Sequence, residues 1–512
     1  MKKVWTLLVC LITAIIFNSI SFAQTTTPPP ETSTVGTIQP QSGFEQFRNW
    51  FHNPTDWLTM GADLRVRYTY GWNLDTLKSD TLNGRASKWA WYQNRTRLWQ
   101  KFKLHDDVDF NIRYTWEFRV WDSPERKNGN GGAAEVRTHS TDFGEIVFDN
   151  FNLTVRNLGN MPLTMVAGRQ DIMLGEGWLI ADATPLDAAR TAYFDALRFT
   201  YAIPGKDKTT LDLIYVENRA SEDWALQPIN NRGTVITQQD ERAVIAYLTD
   251  KSNPNMTLEG YFILKNDNPI DYNPVAGFLS PAPNGRDRLP NSWSKKATIY
   301  TFGGALSGPL GKSEHWKYRT EAAIQTGTKQ DQRGNRDMQN LMAFGTNNRL
   351  EYHFNDARKN RLRVGLEYLS GDDPGSNKNE AFDPLWGEWP RNSEILLYTY
   401  NLETMVGEVT NLYRLGFGHS IQLTEKLSMD TDYHLLWAAE NSLKDVPNHP
   451  SGLGWSDSGK MRGQLGSLVF KYNVSKNLKT HLWLEAFQPG DYYASTSRDM
   501  VYFMRINMDY TF

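Results

Sequence analysis

Between Val108 and Trp121 the chain changes character at every residue. Val108, Phe110, Ile112, Tyr114, Trp116, Phe118 and Val120 fall on one face, and Asp109, Asn111, Arg113, Thr115, Glu117 and Arg119 fall on the other. Successive side chains on a strand point to opposite faces, so this segment is a strand with one greasy and one wet side. No helical stripe can be drawn through it. The pattern recurs: Leu64, Val66, Tyr68 and Tyr70 oppose Asp63, Arg65 and Arg67, and Leu362, Val364, Leu366 and Tyr368 oppose Arg361, Arg363 and Glu367. Leu427, Met429, Thr431, Tyr433, Leu435 and Trp437 oppose Ser428, Asp430, Asp432 and His434. The last segment sets Met500, Tyr502, Met504, Ile506, Met508, Tyr510 and Phe512 against Arg505, Asn507, Asp509 and Thr511.

About eighteen such segments follow one another, near residues 60–71, 91–104, 108–121, 145–156, 163–171, 192–202, 209–217, 241–249, 256–265, 296–307, 315–326, 341–354, 360–369, 409–421, 427–438, 461–473, 478–487 and 500–512. Most suit the ~9–11 residues that a tilted strand needs to cross a hydrocarbon layer. Their connections alternate in length. Links at 105–107, 157–162, 203–208, 250–255, 308–314, 355–359, 422–426 and 474–477 are short, and long links lie between them. Short turns at one end and long loops at the other are what an up-and-down outer-membrane barrel requires, and a soluble sandwich has no reason to sort its loops by parity. The expected fold is therefore all-β: a transmembrane antiparallel barrel of about 18 strands over residues 60–512, with short periplasmic turns and long extracellular loops. Closure pairs every backbone group and leaves no open edge in lipid. The terminal Phe512 fits the signal by which such barrels are recognised for insertion. Tyr68, Tyr70, Trp72, Trp89, Trp91, Trp316 and Tyr318 stand near strand ends, where interfacial girdles are expected.

A mean hydropathy of −0.56 and 22% charged residues would suit a soluble protein. A barrel reconciles these values with membrane insertion, because only every second residue meets lipid. Lys2 and Lys3, the apolar run Leu7–Phe17 and the small residues of Ser21-Phe22-Ala23 read as a signal peptide over 1–23, with maturation at Gln24. Residues 24–59 form a Thr/Pro-rich periplasmic leader in which Phe44 to Phe51 suits a short amphipathic helix, either against the barrel rim or partly occluding it. Cys10 is the only cysteine and lies in the signal peptide, so the mature chain has no disulfide, no Cys-based metal site and no thiol nucleophile. Loss of Lys2 and Lys3 moves the formal charge from −3 to −5, which offers nothing to nucleic acid.

Eighteen strands enclose an aqueous channel. The wet faces carry Arg65, Arg67, Arg95, Arg97, Arg113, Arg119, Arg198, Arg319, Arg361, Arg363, Arg414 and Arg505, with Lys101, Lys103 and Lys317. A guanidinium is a planar fork that suits carboxylates and stays charged. Rings of such groups ease the passage of anions. The same faces hold Asp63, Asp109, Glu117, Glu321, Glu367, Asp430, Asp432, Glu485 and Asp509, which can pair with the arginines into a structural network. An anion path and a self-paired lumen are both compatible with the pattern.

Ala167-Gly168-Arg169-Gln170-Asp171, Gly175-Glu176-Gly177-Trp178 and the run Arg190-Thr191-Ala192-Tyr193-Phe194-Asp195-Ala196-Leu197-Arg198 carry a resemblance. So do Tyr368-Leu369-Ser370-Gly371-Asp372-Asp373-Pro374, Ala381-Phe382-Asp383-Pro384-Leu385 and Gln488-Pro489-Gly490-Asp491-Tyr492-Tyr493. Through most of 60–512 the chain resembles the alginate-export family of outer-membrane barrels. The resemblance implies eighteen strands, an electropositive constriction, outward passage of an acidic polysaccharide, and partners that include outer-membrane lipid, an anionic polysaccharide or small anionic solute, and periplasmic export components. It carries Arg169 into the basic path, although counting in twos places Arg169 with Leu163, Met165 and Ala167. The family is broader than its name, so a general or substrate-specific porin for uptake of small hydrophilic solutes is the alternative.

Asp430, Asp432 and His434 share one face, as a metal site or an acid–base pair would, and as ordinary lumen polarity does too. No Ser nucleophile elbow, HExxH motif or phosphate loop is present. Asp372, Asp373 and Asp383 lie in a long loop, where calcium binding and turn formation compete as explanations. The expectation is a channel with no catalytic residues, no metal and no cofactor.

Overall fold

The computed structural model describes residues 43–512, apart from 75–76, 80–87, 124–140, 183–192, 207, 221–224, 231–238, 270–294, 332–336, 388–391, 397–398, 400–408 and 444–453. The expected signal peptide, residues 24–42 of the leader and Arg190-Thr191-Ala192 lie outside the described residues.

Helix α1 (Gly43–His52) occupies the segment predicted to be helical. The strands follow: β1 (Leu58–Trp72), β2 (Lys88–His105), β3 (Val108–Ser123), β4 (Thr141–Val155), β5 (Leu163–Gln170), β6 (Ile172–Met173), β7 (Ala181–Asp182), β8 (Phe194–Ala202), β9 (Thr209–Asn218), β10 (Gln239–Asn253) and β11 (Met256–Pro269). After them come β12 (Ala297–Pro309), β13 (Trp316–Gln330), β14 (Met338–His353), β15 (Arg361–Leu369), β16 (Lys378–Asn379), β17 (Leu412–Gln422), β18 (Leu427–Trp437), β19 (Met461–Asn473), β20 (Leu478–Pro489) and β21 (Val501–Thr511). The two-residue strands β6, β7 and β16 belong to loops. The other eighteen each pair antiparallel with their neighbours, and β21 closes on β1 from Asp63↔Thr511 to Trp72↔Tyr502. The chain is a closed eighteen-stranded barrel, and all eighteen alternating segments are strands of it. Short links join β2 to β3, β4 to β5, β8 to β9, β10 to β11, β12 to β13, β14 to β15, β17 to β18 and β19 to β20.

The two faces separate as the alternation requires. Leu64 and Val66 are 46% and 37% exposed, whereas Arg65 and Arg67 beside them are 7% and 1% exposed. Val244, Phe302, Ile324, Met342, Val364 and Phe417 continue the outward apolar band. Phe51 packs edge-on against the terminal Phe512 at 4.9 Å, and His52 Nδ1 lies 2.8 Å from the Met60 carbonyl oxygen, so the start and end of the barrel are tied together. Trp91 departs from the girdle expectation. It is buried and clusters with Trp89 and Trp121, because its parity is that of Gln93, Arg95 and Arg97.

The interior is not uniformly wet. Along β9 to β12, the inward positions include Ile214, Val216, Ala243, Ile245, Tyr261, Ile263 and Ile299, all buried. They form one hydrophobic cluster with Trp178, Leu179, Ile180, Phe382, Leu385, Trp386, Ile395 and Leu396 from the β5–β8 and β15–β17 connections. The described parts of these two loops fold inward and pack inside the barrel. The expected open channel is thus a lumen partly filled by its own loops, because burying their apolar residues against the wall is favourable at roughly 25 cal/mol per Å².

Candidate functional site

Two adjoining strands concentrate positive charge. In the β1–β2 register Arg65 stands directly opposite Arg95, Asp63 opposite Arg97, and Arg67 opposite Gln93. Like charges directly opposite on a sheet are destabilising. Some compensation is present: Arg65 Nε bonds Asp509 at 2.6 Å, Arg67 Nε donates to Asn507 at 3.0 Å, and Arg95 Nη2 lies 3.5 Å from Asp63. Arg95 Nε and Nη1, and Arg97 Nε and Nη2, are buried without a hydrogen-bond partner among the described residues. Next along the wall, Arg113 binds Asp149 and holds Asp171 with two bonds of 2.8 Å, and Arg119 lies 6.0 Å from the Trp91 ring.

Opposite conditions hold on β13 to β18, where the arginines are paired. Arg319 reaches Glu259 and Glu321 at 2.6 and 2.7 Å, and Arg414 binds Glu367 at 2.9 Å. Arg363 binds Asp432 at 2.8 Å, and Arg361 bonds Ser420 at 3.3 Å with Glu351 at 3.6 Å. Asp430 accepts from Ser420 and Lys471. Elsewhere on the wall Arg198 of β8 pairs with Asp212 of β9 at 2.7 Å, and on β3 itself Asp109 engages both Lys101 of β2 and Arg156. Ion pairs line both parts of the wall, and on β2 the buried guanidinium nitrogens without a hydrogen-bond partner among the described residues belong to Arg95 and Arg97.

Several acidic positions hold the inward loops. Glu485 accepts from Ser393 Oγ and from the backbone N–H groups of Glu394 and Ile395, and Arg505 binds Glu394 at 2.6 Å. Glu367 also accepts from Trp178 Nε1, and Trp386 Nε1 donates to Glu241. Asp383 is fully buried, with Lys295 at 2.6 Å and Lys329 at 3.1 Å. Lys265 and Asp267 extend this buried charge group. Sequence reading missed Lys265, Lys295 and Lys329. Two precede or follow long loops, and only the fold shows that a distant Asp lands on them. The loops touch through the Ile180↔Trp386 bridge and the bond from Trp386 N to Leu179 O. They approach so closely that a Cβ at Gly387 would lie 1.8 Å from the Trp178 carbonyl oxygen.

Arg169 is engaged outside the β1–β2 group. It forms a bidentate pair with Asp195 at 2.8 and 3.0 Å, lies over the Tyr193 ring at 3.8 Å and donates to the Phe148 carbonyl. Gly168, at φ +118°, breaks the alternation, so Arg169 and Gln170 are both buried and counting in twos fails there. Asp372 and Asp373 accept backbone N–H groups of Glu380 and Gly375, while Asp383 is on the lysines, so the three carboxylates serve different partners. Among the described residues no group of three His, Cys, Asp or Glu side chains is placed to hold a metal ion.

A family model described as "Alginate export" matches residues 56–504. Among solved structures, Pseudomonas aeruginosa OpdQ aligns with a TM-score of 0.51 at 11% identity, over 89% of this chain and 97% of its own. Acinetobacter baumannii OccAB2 gives 0.51 at 12% identity, over 88% and 98%. Pseudomonas aeruginosa OccK8 (OprE) gives 0.50 at 12%, over 88% and 98%. At these identities the shared property is the barrel fold. No curated protein sequence matches the chain.

Proposed function

The chain belongs to the alginate export family and is an outer-membrane β-barrel channel, and from that premise we propose that it passes an acidic polysaccharide outward along the basic wall of β1 to β3. The observation that carries this reading is the pair Arg95 and Arg97, buried with unpartnered guanidinium nitrogens beside Arg65. Unmet donors and like charges at such a site cost stability that a passing carboxylate offsets. A chain of uronate units meets Arg65, Arg67, Arg95 and Arg97 in succession. Each contact is a charge-assisted bond, and the neighbouring ones make it exchangeable, as conduction needs. Export components on the periplasmic side and lipid around the band of Leu64 and Val66 are the partners this role implies. Asp430 and Asp432 are held by Lys471, Ser420 and Arg363, which favours a structural role for them over catalysis.

A second reading has its own support. The inward loops narrow the lumen, which suits a porin taking up small hydrophilic solutes. Purified protein in a planar bilayer separates the two. Export predicts that a polyuronate interrupts the current and that Arg95→Ala with Arg97→Ala weakens the block by about tenfold or more, the scale of one to two charge-assisted bonds. Current indifferent to polyuronate, together with swelling of loaded liposomes in small neutral solutes, would overturn export in favour of the porin.

A further inference from the structure

Below the crossing of the two inward loops lies a cavity of about 190 Å³, walled by β14, β15, β17 and β18. That is smaller than the ~300 Å³ at which pockets for drug-sized ligands begin, so it is matched to one ring and not to an oligomer. We propose that it is a binding subsite for a single pyranose ring carrying at most one carboxylate, an inference that rests on the reading of the barrel as a saccharide channel.

Three features point to this class of ligand. The first is His434, 4% exposed and lining the cavity, with neither ring nitrogen hydrogen-bonded among the described residues. A buried polar side chain left wholly unsatisfied is uncommon and costs free energy. Neutral imidazole offers one donor and one acceptor. A carboxylate or phosphate oxygen only accepts, whereas a hydroxyl does both, so adjacent sugar hydroxyls answer both nitrogens.

The second feature is charge balance. Arg349 binds Glu176 with two bonds of 2.7 and 2.9 Å, Arg363 binds Asp432, and Arg414 binds Glu367. Three cations meet three carboxylates around the cavity, which leaves no surplus to hold a multiply charged anion. This separates the subsite from the basic wall of β1 and β2.

The third feature is shape. Gly365 and Gly416 pair across β15 and β17 and add no side chains of their own, which lets His434 and Arg414 lie against the wall: a Cβ at Gly416 would lie 2.6 Å from His434 Nδ1 and 3.2 Å from Arg414 Nη1. Trp178 and Phe382, stacked at 5.5 Å, form an apolar roof for the C–H face of a ring.

The test is equilibrium binding of glucose, glucuronate and citrate to the purified full-length barrel, followed by saturation-transfer NMR, with folding of each variant checked by heat-modified electrophoretic mobility. Glucose and glucuronate should bind and citrate should not. His434→Phe should weaken sugar binding by about tenfold, the order of one to two lost hydrogen bonds. His434→Gln, which retains a donor and an acceptor, should keep most of it. Gly416→Ala should act like His434→Phe. Citrate binding as well as the sugars, or sugar binding unchanged in a folded His434→Phe barrel, would overturn the subsite. Failure of both sugars to bind while polyuronate still blocks the current would remove the subsite and leave the export reading standing. Sugar binding without polyuronate block would do the reverse.

Discussion

Replacing Asp383 by Asn should release the β15–β17 loop from the wall. The Asp383 carboxylate lies 2.6 Å from Lys295 Nζ and 3.1 Å from Lys329 Nζ, and it also accepts from Leu385 N. Its backbone N–H donates to Gln325 Oε1, whose amide donates back to the Asp383 carbonyl. Loss of the charge takes from Lys329 and Lys295 the buried carboxylate they share, and breaking a buried pair by removing one partner costs roughly 3–5 kcal/mol. If docking bears that cost, the undocked population rises by about two to three and a half powers of ten. In a planar bilayer this should appear as larger unitary conductance with frequent flicker, in a barrel whose heat-modified mobility is unchanged. A folded Asp383→Asn channel with wild-type conductance and noise would refute the latch. The pH dependence has a fixed sign. Burial pushes the Asp383 carboxyl up, but the Lys295, Lys329 and Lys265 ammoniums more than offset this and hold it well below the usual carboxylate range. A depressed carboxyl contributes stability that is complete above its unfolded value of ~3.9 and is lost as pH falls through the folded value. Lowering the pH from 7 to about 5 should therefore leave the wild-type latch closed.

Gly387→Ala places a methyl against the Trp178 carbonyl at the loop crossing, so limited proteolysis of both loops should accelerate while the barrel core resists. Gly168→Ala forces a side chain into φ +118° and toward the Phe151 carbonyl oxygen, and should lower stability in urea by roughly 1–3 kcal/mol. Among the described residues, Arg414→Ala leaves Glu367 buried with Trp178 as its donor and should lower the thermal midpoint, whereas Arg97→Ala removes donors without a partner and should leave it unchanged or raised. Equal losses in the last two variants would contradict the contrast between a paired Arg414 and an Arg97 with unpartnered donors.

The strand order was legible because lipid tolerates few errors. Most outward residues from Leu64 to Phe417 are apolar, with exceptions such as Asn94 and Thr96 opposite Val66 and Leu64, so the period of two survives in the sequence. Loop parity added an independent constraint. Counting failed at Gly168, where a positive φ breaks the period and turns Arg169 toward Asp195. It also failed to foresee the filled lumen. Ile214, Ile245, Ile263 and Ile299 are inward and apolar because they face the loops that carry Leu385 and Trp386, and residues so far apart in sequence announce no pairing. Arginine identities were visible, but their partners were not. Glu176, Glu394 and Asp383 come from loops, and only the fold decides that Arg349, Arg505 and Lys295 receive them while Arg97 receives none among the described residues.

The central claim is that the arginines crowded across β1 and β2, with buried guanidinium nitrogens of Arg95 and Arg97 unpartnered among the described residues, make the channel a path for anions. Reversal potential under a potassium chloride gradient tests it most directly. The account predicts a potential of the sign for chloride preference, shifting toward zero when Arg95 and Arg97 are both changed to Ala. A potential of the opposite sign in the wild type, or one indifferent to the double change, would contradict it.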